Sequence, residues 1–381
     1  MTKIKNADET YQPVEPTFNV SARYFAPCDY RIFVTIVKNL VHCFYYCRQH
    51  PLFEHMKRYL ITIWISSCCS LAGQDYVEYQ RIWNRVDRDI LSGAFSDANA
   101  RLDTVYHTYS FIYARHCIKA LQICNAQNDL DRAGPWLEKC FLQGVPMWII
   151  RNDELTKTVF DHPRTSVIIN RYDSLRAKYF ASLNKELVAV IDSLYRIDQY
   201  RTKRVNDGFF LLKPVYGLQW LRNNRKQFEI IRSLTITYGF PGERLIGLPP
   251  YFQDSLTAFN SIRNYGAYLS DHRAYLMLIH YYSHPHRDMN DLLISSLKQG
   301  LIEPCQFASI NDFMARWGKN RFNAYPFYNA WHKDPNPAHL PEINKRREAI
   351  GLNSFYEQEQ YTQIRFNRRK DKTADSSILL E

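Results

Sequence analysis

The stretch that most constrains how this chain can fold lies well inside it. Met56-Lys57-Arg58 precedes the apolar run 59–65, and Ser66-Ser67-Cys68-Cys69-Ser70-Leu71-Ala72 follows. A basic tip, a short apolar core and a small-residue exit with Ser70 and Ala72 at −3 and −1 form the pattern of a secretory signal peptide. The apolar run is too short for a bilayer-spanning helix, which needs roughly 20 residues. The leader carries its own methionine, so the simplest reading starts translation at Met56 and treats 1–55 as an extension from an upstream start. Residues 1–55 hold Cys28, Cys43 and Cys47 and sustain no period of 3.6 or 2. Cleavage after Ala72 gives a soluble exported chain, periplasmic or extracellular. The alternative reads Ile65-Ser66-Ser67-Cys68 as a lipobox, with a lipidated Cys68 making an outer-membrane lipoprotein; its leader would be short.

Removing the leader changes the composition. Of 49 Lys/Arg and 38 Asp/Glu, 8 and 5 lie in 1–72, so the remainder carries 41 against 33, a net charge of +8. The charges are interspersed except in the tail run 365–372. A nucleic-acid footprint concentrates its cations on one face, so nucleic acid is not an expected partner. Five of the nine cysteines also go, leaving Cys117, Cys124, Cys140 and Cys305. Four cysteines in a chain of this size are no disulfide scaffold. No CxxC pair follows Ala72, so a structural zinc site is not expected; no other metal and no cofactor is expected either.

Two helical parts follow the leader. From 74 to 180, Gly93-x-Phe95-x-x-Ala98 recurs as Asn128-x-Leu130-x-x-Ala133, offset by 35 residues. That is close to the 34-residue tetratricopeptide period, in which a turn residue, an aromatic or leucine and a small alanine open the second helix of each hairpin. Cys117 and Cys124, two turns apart on one face, read as small core residues. Their separation along the helix, about 10.5 Å, exceeds disulfide reach. Beyond Pro146 the pattern predicts a helix with turns over 145–164 and a long helix over 183–205. A loop at Gly208 and Pro214 precedes a helix over 220–238. One short extended piece falls at 245–248, then helices at 271–283, 288–300, 306–317 and 342–350. The expected fold is mainly α: tetratricopeptide-like α-hairpins, a mostly helical second domain over 185–355 with little or no sheet, and a polar basic tail over 356–381.

The second part carries a series of short elements. They are Asp198-Gln199-x-Arg201, Gly239-Phe240-Pro241 with Gly247, Leu278-Ile279-His280, Ile310-Asn311-Asp312, Tyr325, and Ile343-x-x-Arg346-Arg347-x-x-Ile350-Gly351-Leu352. In order and spacing over about 185–355 they resemble a bacterial domain family of unknown function, common in exported proteins of Bacteroidetes-like organisms. Pro326 departs from that pattern, where a glycine follows the tyrosine. The resemblance implies no activity, but it marks positions. Asp198, His280 and Asp312 are the catalytic candidates, and Gln199, Arg201, Tyr325 and Arg347 the ligand-binding candidates.

Asp198 and Arg201, at i and i+3, share a helix face and can pair. Asp198 then serves as acid/base and Arg201 as a carboxylate or phosphate clamp, or the two form a structural ion pair. His280 and His284, at i and i+4, have chelating spacing, but Pro285 ends the helix there, and His280 alone as a base or core hydrogen-bonder is preferred. Asp312 and Arg316 repeat the acid–base spacing. No GxSxG, P-loop or GxGxxG is present, which removes the main support for common hydrolase, NTPase and dinucleotide chemistries. Two functions remain: a binding module with helical hairpins for a peptide, protein or small molecule, or an enzyme of unrecognised hydrolase or transferase chemistry using Asp198, Arg201 and His280. A membrane enters this reading only through a lipid on Cys68.

Overall fold

The computed structural model describes residues 74–153, 155–250, 269–281, 289–317, 327–330 and 335–361, with the backbone alone at 314, 316 and 317. All described residues belong to one compact unit, Gly73–Glu381. The leader with Cys68, His284, Tyr325 and residues 362–381 lie outside the described residues.

The described part is mainly α, and no strand occurs among its residues. Helix α1 (Tyr76–Ser92) starts at Asp75, whose side chain accepts from the Val77 N–H, and stops at Gly93 with φ 76°. Helix α2 (Phe95–Thr108) folds back on it, and α3 (Ala114–Ala126) and α4 (Leu130–Leu142) form a second hairpin. The repeated sequence element has a physical basis. Gly93 and Asn128 both take the left-handed conformation that turns the chain, and Ala98 and Ala133 are fully buried where the helices approach. Asn tolerates this conformation better than most non-glycine residues. Cys117, Cys124 and Cys140 are buried in the same core, with Trp83, Leu102, Ile112, Leu121, Trp136 and Leu137. Each fully buried large apolar side chain there stabilises by about 1.5–3 kcal/mol.

The 145–164 stretch breaks into α5 (Met147–Asn152), α6 (Lys157–Phe160) and a 3-10 turn at Pro163–Thr165, then α7 (Ser166–Ile169) and α8 (Tyr172–Ser182). Helix α9 (Lys185–Asp207) is capped by Asn184, which accepts from the Leu187 N–H. A 3-10 turn at Phe210–Leu212 leads into α10 (Lys213–Tyr238), which begins seven residues before the expected 220. Pro214 falls in its first turn, where a missing N–H costs nothing and the fixed φ suits a helix. Of the expected extended piece at 245–248, Leu245 and Ile246 instead belong to a helical turn, α11 (Glu243–Ile246), set between Gly242 and Gly247.

Helices α12 (Arg273–Tyr281), α13 (Asn290–Lys298), α14 (Pro304–Trp317) and α15 (Leu340–Ala349) follow. A second core gathers Leu187, Ile191, Phe228, Ile231, Met277, Leu278, Leu293 and Phe307. Residues 355–361 are helical, with Phe355 and Tyr361 buried and Glu357 paired to Arg88 at 2.5 Å. Folded structure therefore runs into the stretch that composition marks as a polar tail.

Candidate functional site

Helix α9 faces its core with Leu187, Ile191, Leu194 and Tyr195. The same stripe continues to Asp198, fully buried where an apolar residue would otherwise stand. Its partner comes from α12. The imidazole Nδ1 of His280 lies 2.9 Å from Oδ2 and 3.0 Å from Oδ1 of Asp198. A carboxylate only accepts, so Nδ1 carries the donated proton. Gln199 Nε2 also donates to Asp198 Oδ2 at 3.0 Å. From α10, Asn224 Nδ2 donates to the His280 carbonyl at 3.3 Å, and the Trp220 ring meets the imidazole edge-on at 5.5 Å. Three helices thus converge on a carboxylate–imidazole pair.

The other candidates lie elsewhere. Arg201 makes no ion pair with Asp198, although their spacing permits one. Its Nη1 donates to the Gln219 carbonyl of α10 at 3.3 Å, because α10 packs along this side of α9 and offers a carbonyl. Asp312 is buried and accepts from the backbone N–H groups of Tyr328 and Ala330 at 2.6 and 2.5 Å. Burial raises its pKa, and those N–H donors hold the rise in check. Arg347 donates to the carbonyls of Asn353 and Tyr328 at 2.7 and 2.9 Å. Its burial pulls the guanidinium pKa down to about 10. Asp312 and Arg347 therefore clamp the 327–330 segment from both sides and make no contact with Asp198.

Two buried polar groups gave no sequence signal. Arg273, 1 % exposed, donates from Nε to Asp271 at 2.6 Å, from Nη1 to Asp192 at 2.5 Å, and from Nη2 to the Ile246 and Gly247 carbonyls. Glu243 accepts from the Ala114 N–H at 2.7 Å, and nearby Glu303 pairs with Arg115 at 2.9 Å. Burial first, then the Glu303 charge, pushes the Glu243 carboxyl pKa well above its ordinary value. Both clusters join segments far apart in sequence, so no local spacing reveals them.

A cleft of about 330 Å³ opens between α1 and the C-terminal helices, lined by Arg81, Arg85, Arg88, Asn344, Glu348 and Asn353. Its cations are engaged: Arg85 pairs with Glu78 and Arg88 with Glu357. Among the described residues no group of three or more His, Cys, Asp or Glu is placed to hold a metal ion.

The feature that sequence reasoning missed is the end of the α9–α10 hairpin. Asp198 is the last buried residue of α9 and Asn224 the first of α10. The nine residues from Asp198 to Asp207 extend α9 by about 14 Å, and no side chain between 199 and 223 is buried. This arm is held by edge contacts. Trp220 Nε1 donates to Thr202 at 3.1 Å, Lys213 Nζ to the Asn206 carbonyl at 2.8 Å, and the Arg204 guanidinium stacks 4.2 Å from the Tyr216 ring centroid. Gly208 permits the turn, because a Cβ there would fall 2.2 Å from the Arg204 carbonyl and 2.7 Å from Tyr216. At the tip, Phe209, Phe210 and Leu211 are 59, 69 and 64 % exposed. The legible signal was an apolar run, Phe209-Phe210-Leu211-Leu212, between Gly208 and Pro214, where a connecting loop is normally polar.

Fold and site together define a mainly α protein with helical hairpins, a buried carboxylate–imidazole pair and a projecting arm. No protein family, no curated protein and no solved structure matches the chain.

Proposed function

We propose that this chain is an exported binding module that meets its partner through the arm formed by α9 and α10. The observation that carries this reading is the arm itself, whose consecutive aromatic and leucine side chains lie open to solvent at 209–212. Exposed apolar clusters of this kind mark interaction sites. The leader pattern at 56–72 supports export, and the tetratricopeptide-like hairpins α1–α4 belong to the same reading as an interaction architecture. An enzyme would draw Asp198, Arg201 and His280 into one constellation. The separate partnerships of Arg201, of Asp198 with His280, and of Asp312 and Arg347 with the 327–330 segment favour binding.

A photoreactive residue placed at Phe210, with Val167 as an equally exposed control, tests this in the producing cell. Cross-linked species at 210 and none at 167 are expected. Equal labelling at both positions, or none at 210, would overturn the reading.

A further inference from the structure

The composition of the arm narrows the partner, on the assumption that the arm is the binding element. Between 199 and 223 stand five cations, Arg201, Lys203, Arg204, Lys213 and Arg222, against one acid, Asp207. Outside this arm and the tail run 365–372 the chain mixes its charges. Ahead of this collar is the apolar tip, with all of Phe209, Phe210, Leu211 and Leu212 exposed. Val215, Leu218 and Leu221 continue the exposed apolar surface down α10. Tyr200, Tyr216 and Trp220 sit behind the tip, among the cations. Eight residues of helix place Trp220 about 12 Å back from Leu212.

We propose that this arm docks on an anionic lipid bilayer, with 209–212 entering the outer acyl region and the basic collar meeting the headgroups. The sequence of layers matches the depth profile of a membrane interface. Apolar side chains penetrate roughly 5–10 Å, and aromatic rings with a polar edge rest at headgroup level. Long Lys and Arg side chains reach from apolar surroundings to phosphate. Phe210–Leu212 form a 3-10 turn, whose three residues per turn spread consecutive side chains about 120° apart around the axis, and all of them are exposed. That suits a fluid hydrocarbon layer better than a shaped protein groove, which takes a single stripe at i, i+3, i+4 and i+7. A hollow of about 70 Å³ lined by Arg201, Arg204, Tyr200, Tyr216 and Gln219 lies on the arm, where a lipid phosphate would meet two guanidinium groups. No helix among the described residues is long and apolar enough to cross a membrane, so the contact is interfacial. It requires no lipid on Cys68.

Sedimentation of the full chain with vesicles tests the proposal. Vesicles containing about one third phosphatidylglycerol should bind at least ~10-fold more tightly than pure phosphatidylcholine, and salt should weaken the binding. Phe209→Ser with Phe210→Ser should abolish binding, and Lys203→Glu with Lys213→Glu should remove its dependence on lipid charge. The second pair keeps the test decisive if the serine variant fails to fold. In Phe210→Trp, tryptophan emission should shift to the blue on anionic vesicles and be quenched by chain-brominated lipid. Absence of vesicle binding, or undiminished binding by both double variants, overturns the bilayer proposal. If the photoreactive residue at 210 then labels a protein, the binding-arm reading stands without the bilayer. If it labels neither lipid nor protein, both fall.

Discussion

His280 Nδ1 lies 2.9 Å from the Oδ2 of Asp198, a carboxylate that is fully buried while the imidazole is 22 % exposed. The pair closes the second core at the root of the arm, tying α12 to α9 where the apolar stripe of α9 ends. Asp198→Ala should therefore lower the unfolding free energy by about 1–3 kcal/mol, because the half-buried donors of His280 and Gln199 lose their charged acceptor. Asp198→Asn should cost less, since its carbonyl can still accept from Nδ1. A double-mutant cycle with His280→Ala, read by urea unfolding, should give a coupling of at least about 0.5 kcal/mol. Additive single effects would show that the contact does not tie the helices.

Glu243 sets a pH dependence of definite sign. Its native pKa is raised above the ordinary 4.5, first by burial and then by Glu303. Below pH 4.5 both native and unfolded chains hold the proton, and the group adds no penalty. As pH rises through 4.5 the unfolded chain releases a proton that the native state retains, so stability falls by up to about 1.4 kcal/mol per pH unit until the native pKa is reached. Glu243→Gln keeps the oxygen that accepts from Ala114 and removes the titration. Its stability relative to wild type should rise as the pH is raised above 4.5, until the native pKa is reached. A constant difference across that range would contradict this account.

The repeated alanines offer a packing test. Ala98 and Ala133 are fully buried in the first core, where α2 and α4 approach their hairpin partners. Leucine at either position should destabilise by about 1–3 kcal/mol through overpacking, while Ala100→Leu, on the exposed side of α2, should change stability by less than about 0.5 kcal/mol. Equal effects at all three positions would deny the alanines a packing role.

These positions also mark how far the sequence could be read. The helical class, the α1–α4 hairpins and the core placement of Cys117 and Cys124 follow from local signals: apolar spacing, left-handed turn residues and small residues at helix contacts. Asp198 was visible as a polar residue on an apolar stripe, and His280 stood near the end of its helix. The family resemblance places both in one candidate site, and the structure joins them across 82 positions, although no spacing encodes such a distance. The Arg273–Asp271–Asp192 network escaped for the same reason. The start of α10 was misplaced because Pro214 reads as a loop residue unless its suitability for a first helical turn is weighed. Helix geometry allows Arg201 to pair with Asp198, but the neighbouring helix α10 supplies a carbonyl instead.

The leader makes a prediction of its own. A chain expressed from Met56 in a bacterium with a Sec system should appear outside the cytoplasm with its N-terminus near Gly73, as the small residues Ser70 and Ala72 before that point imply. N-terminal sequencing and fractionation decide it. A lipid-modified Cys68 would replace the soluble form by the lipoprotein alternative, and a cytoplasmic product with an intact leader would end the export reading.

The arm yields the sharpest contrast between stability and function. Residues 199–223 bury no side chain, so the tip contributes little to folding. Serine at Phe209, Phe210 and Leu211 together should leave the thermal midpoint within about 2 °C of wild type, because exposed substitutions rarely exceed about 0.5 kcal/mol each and partly cancel. Phe228→Ala, on α10 and in the second core, should cost about 3–5 kcal/mol. Scanning calorimetry of the two variants separates the roles. A tip variant that melted as early as Phe228→Ala would mean that 209–211 are packed in the native protein, and an arm built for docking would have to be abandoned.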